Sequence, residues 1–270
     1  MARRPSISPW ENPVSRALRA GKVCLGALAI SFPCPAVAQI SAQAGFSWLY
    51  FDMEHSGLSV DGIEPICDAS KLAGIVPIAG TSGVADFLIS RPLDVGAMGV
   101  IAPHVHTRAE AELVVSAGRY APTGTRGFIT LAPSTEFEDA DPGRWAETAN
   151  REILVAVKVE SARGIENIEE IAAVPGLDAI LIGPGDLSAT YGIPGQTEHP
   201  RIREAIERTL AACRRNGIAG GPHVGSAEAA REWADRGATF MSVGFDGALL
   251  LEASRRLADG ARALLGDRML

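Results

Sequence analysis

The chain has 270 residues, 47% hydrophobic and 21% charged, with 25 Lys and Arg against 32 Asp and Glu for a formal net charge of −7. That apolar content excludes a disordered chain, and an acidic balance without runs of like charge excludes nucleic-acid and membrane-surface partners. No linker or low-complexity tract divides 1–270, and α/β barrels of this length run as one domain, so a single domain is expected.

The first apolar run spans 23–40, follows basic residues and ends in Ala36-Val37-Ala38, which mimics a signal-peptidase site. Mostly polar residues fill 1–22 before it, and Pro33 and Pro35 interrupt it. It therefore reads as a buried strand, a turn and the start of a helix rather than a leader or a bilayer span. A cytoplasmic protein is expected. The cysteines at 24, 34, 67 and 213 form no CxxC pair and no Cys/His cluster, so they read as reduced thiols.

Further along, short apolar runs alternate with polar segments of helical period. Strands are expected at 23–30, 48–53, 76–79, 99–103, 153–159, 179–182, 218–220 and 240–243. Helices are expected at 36–44, 62–73, 85–95, 108–117, 167–173, 202–216 and 227–236, several closed by a glycine. A last amphipathic helix at 248–265 has a Leu-rich face that closes the barrel or packs on a neighbouring subunit. The segment 128–144 is acidic and reads as a lid, a subunit-contact loop or a solvated loop. Eight β/α units predict a TIM (β/α)8 barrel; a doubly wound sheet lacks its GxGxxG after the first strand.

In a parallel barrel all strand C-termini share one face, and chemistry-bearing residues collect there. Asp52, Glu54 and His55 follow the second strand, Glu160 ends the fifth, and Gly183-Pro184-Gly185-Asp186-Leu187-Ser188 follows the sixth. Glu160 and Asp186 make a hard-oxygen site suited to Mg2+ or Mn2+. His55 offers an imidazole as acid or base, with Asp52 expected to hold its tautomer. Gly183 and Gly185 let backbone N–H groups approach a carboxylate. Taken singly, Glu160 reads as a strand-end partner of Arg163, Asp186 as a helix cap and His55 as a surface histidine. Their convergence favours a metal-assisted reaction on a small oxygen-rich acid. His104, His106, His199 and His223 show no ligand-pair spacing and stay unassigned.

The stretches Trp48-Leu49-Tyr50-Phe51-Asp52-Met53-Glu54-His55 and Leu93-Asp94-Val95-Gly96-Ala97-Met98-Gly99-Val100-Ile101-Ala102-Pro103 resemble the HpcH/HpaI aldolase family. So do Arg119-Tyr120-Ala121-Pro122-Thr123-Gly124-Thr125-Arg126-Gly127, Val159-Glu160 and Ile182-Gly183-Pro184-Gly185-Asp186-Leu187-Ser188, a likeness running over about 12–257. The resemblance implies a TIM barrel whose last helix is exchanged between subunits of a trimer or hexamer. It implies class II pyruvate aldolase chemistry: reversible cleavage of a 4-hydroxy-2-oxo acid to pyruvate, or a related 2-oxo acid, plus an aldehyde. It makes Glu160 and Asp186 ligands of a divalent metal (Mg2+ or Mn2+, with Co2+ or Zn2+ as further candidates). His55 and Asp52 become the acid/base pair, the Gly185 and Asp186 backbone holds the substrate carboxylate within the Pro184–Ser188 turn, and Asp94 approaches an adjacent subunit's site.

Two positions depart from the family's pattern. Gly80 stands where the family carries an arginine at the end of the third strand, and Lys158 replaces a glutamine two residues before the metal glutamate. Lys158 and Glu160 share one face of their strand, so Lys158 is expected to supply the cation missing at Gly80. A bolder form makes Lys158 a Schiff-base nucleophile; a plainer one makes it the counter-ion of Glu160. The remaining alternatives are another C–C lyase or hydrolase acting on a 2-oxo or acyl substrate, and a non-catalytic oligomeric barrel.

Overall fold

The computed structural model describes residues 4–268 and closes eight parallel strands into a barrel in sequence order. The strands are β1 (Cys24–Ala29), β2 (Trp48–Asp52), β3 (Val76–Gly80), β4 (Gly99–Ala102), β5 (Leu154–Val159), β6 (Ala179–Ile182), β7 (Ala219–Val224) and β8 (Phe240–Phe245). Alternation along them sorts the core into two populations. Trp48, Tyr50, Ile78, Leu154, Ala156, Leu181 and Phe240 fill the barrel interior, while Leu49, Phe51, Ala79, Val155, Val157 and Ile182 pack against the surrounding helices. Both faces are buried, which is why these strands read as unbroken apolar runs. Trp48 and Phe240 stack at 4.3 Å between ring centroids and make the interior a solid floor.

The differences from expectation have local causes. Strand β7 continues through Pro222 and His223, which look like a turn in sequence, because Pro222 pairs in register with Ile182. The helix expected at 167–173 is split into Ala162–Glu166 and Ile168–Ala172. The end of the acidic loop is a helix, Pro142–Glu152, started by Asp141, whose carboxylate accepts the Arg144 N–H at 2.8 Å. An unanticipated helix, Pro13–Arg19, precedes the barrel and inserts Val14 into the interior cluster.

Asn12 fixes that first helix. Its side-chain oxygen accepts the N–H groups of Val14 (3.0 Å) and Ser15 (3.1 Å), and its amide donates to the Met98 carbonyl at 2.9 Å. Its own N–H donates to the Glu152 carboxylate at 2.9 Å. Asn12→Ala removes an N-cap and one of the two donors to the Met98 carbonyl, which keeps the Leu154 N–H, so urea denaturation should show a loss of about 1–2 kcal/mol.

The last helix, Asp246–Leu265, has no buried residue and exposes Leu249, Leu250, Leu251, Leu257 and Leu264. It is tethered at its start, where the Asp246 carboxylate accepts backbone N–H groups from Ile30, Ser31 and Phe32. The outer faces of β1 and β8 meanwhile border an apolar groove of about 540 Å3, lined by Leu25, Phe46, Ala230, Ala234, Met241 and Val243. Among the described residues no helix is long and apolar enough to cross a membrane.

Candidate active site

Period-two geometry carries the interior column of each strand upward into a polar layer. Trp48 and Tyr50 lead to Asp52 on β2, Ile78 to Gly80 on β3, and Ala156 to Lys158 and Glu160 at the end of β5. Above the aromatic floor lies a cavity of about 200 Å3, lined by Tyr50, Asp52, His55, Lys158, Asp186, His223 and Ser242 among others. That is smaller than the ~300–1,000 Å3 of sites for drug-sized ligands and suits a small acid.

Glu160 is almost fully buried at the centre of the polar layer. Its Oε1 accepts the His104 N–H at 3.1 Å and lies 3.3 Å from His104 Nδ1. The other ring nitrogen of His104 is 2.6 Å from Glu54 Oε1. Lys158 Nζ is 3.0 Å from Glu160 Oε2 and 3.8 Å from Glu54 Oε2. The first of these is a close ion pair and the second a longer one, and both Oε2 atoms are buried. One ligand atom from each of Glu54, His104 and Glu160 lies within 4.8 Å of the others. Two carboxylates and an imidazole converging in this way form a donor set that fits a divalent cation, with Lys158 as the charge already beside it.

Gly183 makes room for this arrangement. A Cβ there would lie 2.5 Å from Glu160 Oε2 and 3.3 Å from Lys158 Cε. Gly80 has a different neighbour: a Cβ would meet the Tyr50 ring, 2.6 Å from Cζ and 2.7 Å from the phenolic oxygen. The space beside Gly80 is therefore taken by Tyr50, from the adjacent strand.

Burial works against the charge on Lys158, but Tyr50, Glu160 and Glu54 outweigh it and raise its pKa above the ordinary lysine value. A Schiff-base amine needs the opposite shift. The counter-ion arrangement is the one the geometry displays: Glu160 pairs with Lys158 rather than with Arg163.

Other expected residues are placed as follows. Asp52 is buried, and its Oδ1 accepts the N–H groups of Glu54 (2.7 Å) and His55 (2.8 Å). It thus shapes the turn that aims Glu54 inward, and its carboxylate meets the backbone of His55 rather than the ring. The half-exposed His55 ring has Glu54 as its acidic neighbour, with Nε2 3.4 Å from Oε2. Asp186 lies in the first turn of helix Pro184–Thr190, facing the cavity but outside the Glu54–His104–Glu160 cluster. Gly183, not Asp186, occupies the cap position. Ser188 is buried; its hydroxyl donates to the Gly185 carbonyl (2.6 Å) and accepts the Gly195 N–H (2.9 Å), which fixes the loop from behind. Pro184 and Gly185 line the cavity. Asp94 ends helix Asp86–Asp94, where its carboxylate accepts from Arg126 Nη2 at 2.7 Å, and it does not line this chain's cavity.

Sequence reasoning left Glu54 without a role and set His104 aside. Both immediately follow strand ends, which was the available signal. What sequence does not reveal is the backbone of His104, whose φ of +54° turns its N–H toward Glu160.

His223 also enters the site. Its Nδ1 is 2.9 Å from the Ser242 hydroxyl, and burial, then the Lys158 charge, lower its pKa from 6.5 to about 4. Between those values the unfolded chain binds more protons than the folded one, so stability is complete above 6.5 and falls as pH drops toward 4. His223→Asn should therefore flatten the pH dependence of unfolding in that window, by an amount on the order of 3 kcal/mol. Chemical denaturation of both proteins between pH 4 and 7 checks this; parallel curves would refute it.

A family model described as HpcH/HpaI aldolase/citrate lyase matches residues 31–253. The chain is similar to a pyruvate aldolase of Rhizobium etli, at 35% identity over 92% of this chain and 96% of the other. It is similar to a hydroxypyruvate/pyruvate aldolase of Cupriavidus necator at 33% identity over 96% of each. Among solved structures, an HpcH/HpaI aldolase from Desulfitobacterium hafniense superposes with a TM-score of 0.86 at 30% identity, covering 93% of this chain and 96% of that one.

Proposed function

The chain belongs to the HpcH/HpaI aldolase/citrate lyase family and is a carbon–carbon lyase, and from that premise we propose that it cleaves 4-hydroxy-2-oxo acids to pyruvate and an aldehyde in a divalent-metal-dependent reaction. The observation that supports this most is the convergence of the Glu54 and Glu160 carboxylates on His104, with one ligand atom of each within 4.8 Å of the others, beside a small polar cavity.

Glu160 anchors the cation, with Glu54 and His104 in reach and Asp186 facing the same cavity. Oxygen and imidazole donors suit Mg2+ or Mn2+, with Co2+ or Zn2+ also compatible. A divalent cation bound there supplies a Lewis acid for the keto oxygen and carboxylate of the 2-oxo acid. The backbone N–H groups of Gly185 and Asp186 hold the substrate carboxylate. His55, solvent-accessible at the rim, removes the proton of the 4-hydroxyl. The C3–C4 bond then breaks, its electron pair moves toward C2 and its oxygen, and the aldehyde departs; C3 takes a proton to give pyruvate. Asp52 acts at one remove, holding the turn that carries Glu54 and His55.

The exposed last helix and the uncovered groove on β1 and β8 support exchange of Asp246–Leu265 between subunits, each copy's helix seated in a neighbour's groove. The reading is tested with a panel of 4-hydroxy-2-oxo acids differing in the aldehyde half, pyruvate release being followed by coupled NADH oxidation. Turnover of at least one member is expected; silence across the panel would overturn it.

A further inference from the structure

Tyr50 is 3% exposed, and its ring lies 6.4 Å from Trp48 between centroids, continuing the aromatic floor. Its neighbour across the β2–β3 ladder is Ile78, and Asp52 pairs with Gly80 one layer above. Because Gly80 has no side chain, the Tyr50 ring leans into that upper layer: its edge takes the place of the first side-chain atom of residue 80, and its hydroxyl lies 2.7 Å from that point. Tyr50 lines the cavity, and no hydrogen bond among the described residues engages its hydroxyl. An O–H on a residue so deeply buried, spare and open only to the cavity, is a donor without an acceptor in the protein.

Lys158 is not free to serve the same purpose, because its ammonium is already set between the Glu160 and Glu54 carboxylates. We propose that Tyr50 donates a hydrogen bond to the keto oxygen of the bound 2-oxo acid, in the space that Gly80 opens, and so stabilises the charge that develops there when the C3–C4 bond breaks. The role rests on the aldolase reading above. No proton is transferred: the phenol keeps its hydrogen while electron density builds on the oxygen it faces. A neutral donor costs less to bury than a guanidinium. Between an aromatic floor and a closed backbone, its hydrogen bond is worth more than in water.

The test uses pyruvate itself. With Mg2+ in D2O the wild-type protein should exchange the methyl protons of pyruvate, read by NMR. Tyr50→Phe keeps the ring under Gly80 and removes only the hydroxyl. It should slow exchange about 100-fold while pyruvate affinity by calorimetry changes less than about threefold. Exchange at the wild-type rate in Tyr50→Phe would overturn the role of Tyr50 and leave the aldolase reading standing. Absence of exchange in the wild type would overturn the aldolase reading and Tyr50's part in it. Should Tyr50→Phe fold poorly, Tyr50→Leu/Gly80→Arg replaces it, clearing the ring and placing a guanidinium at the end of β3. Recovery to within about tenfold of wild type supports the role, and exchange no faster than in Tyr50→Leu alone overturns it.

Discussion

Glu160→Gln should lower kcat/KM for pyruvate release by at least about 10³-fold and abolish tight Mn2+ binding, while the barrel stays folded. Glu160 is the buried centre of the cluster: it meets His104 through Oε1 and Lys158 through Oε2, with Gly183 closing over it. The amide preserves its volume and can still accept the His104 N–H, but it removes the charge that a cation requires. Lys158 keeps Glu54 within 3.8 Å, so the ammonium is not stranded. Binding is measured by the loss of free-Mn2+ EPR signal on titration, and activity by coupled pyruvate release. Full activity in Glu160→Gln would remove Glu160 from the site.

Lys158→Gln tests the same electrostatics with the opposite sign. An ammonium 3.0 Å from Glu160 Oε2 competes with any cation for that oxygen. Removing it should tighten Mn2+ binding by roughly tenfold or more, since unit charges this close interact by several kcal/mol at an effective dielectric near 20. Unchanged affinity would show that the cation and the ammonium do not share the carboxylates.

Removing residues 249–270 should convert an assembled protein into monomers that melt at lower temperature or aggregate. The helix Asp246–Leu265 buries none of its own leucines in this chain, and the groove of about 540 Å3 has no covering helix among the described residues. Apolar surface of this extent on both elements favours mutual burial. A C-terminal stop after Ala248 retains the Asp246 contacts that tie the end of β8 to Ile30, Ser31 and Phe32, so the barrel itself stays closed. Light scattering coupled to size exclusion should find the full chain as a trimer or hexamer. A monomeric full chain would contradict the exchange.

The barrel was legible because its strands are buried on both faces. Runs such as those containing Trp48-Leu49-Tyr50-Phe51 or Ala179-Ile180-Leu181-Ile182 leave little choice of element, and glycines such as Gly45 and Gly217 end their helices in the left-handed conformation. Where turn-forming residues sit inside an element, as Pro222 does, the sequence misleads. At the site, Lys158 and Glu160 were placed together by strand periodicity alone, and their ion pair bears that out. The acid/base reading of Asp52 was right about proximity and not about contact, because spacing of three residues does not say whether a carboxylate meets a ring or a backbone N–H. Gly80 read as a missing charge; its meaning emerges only when Tyr50, thirty positions earlier, is seen filling the space. His104 could not be found from spacing, since its approach to Glu160 and Glu54 depends on a backbone turn with positive φ.

Dependence of C–C cleavage on a divalent cation at the Glu54–His104–Glu160 cluster is what the proposed reaction requires. It is tested most directly by dialysing the protein against EDTA, removing the chelator, and measuring pyruvate release from an accepted 4-hydroxy-2-oxo acid before and after addition of Mg2+ or Mn2+. Turnover should fall to background in the stripped protein and return with stoichiometric metal in the wild type but not in Glu160→Gln. Undiminished turnover after stripping, or equal recovery in Glu160→Gln, would contradict it.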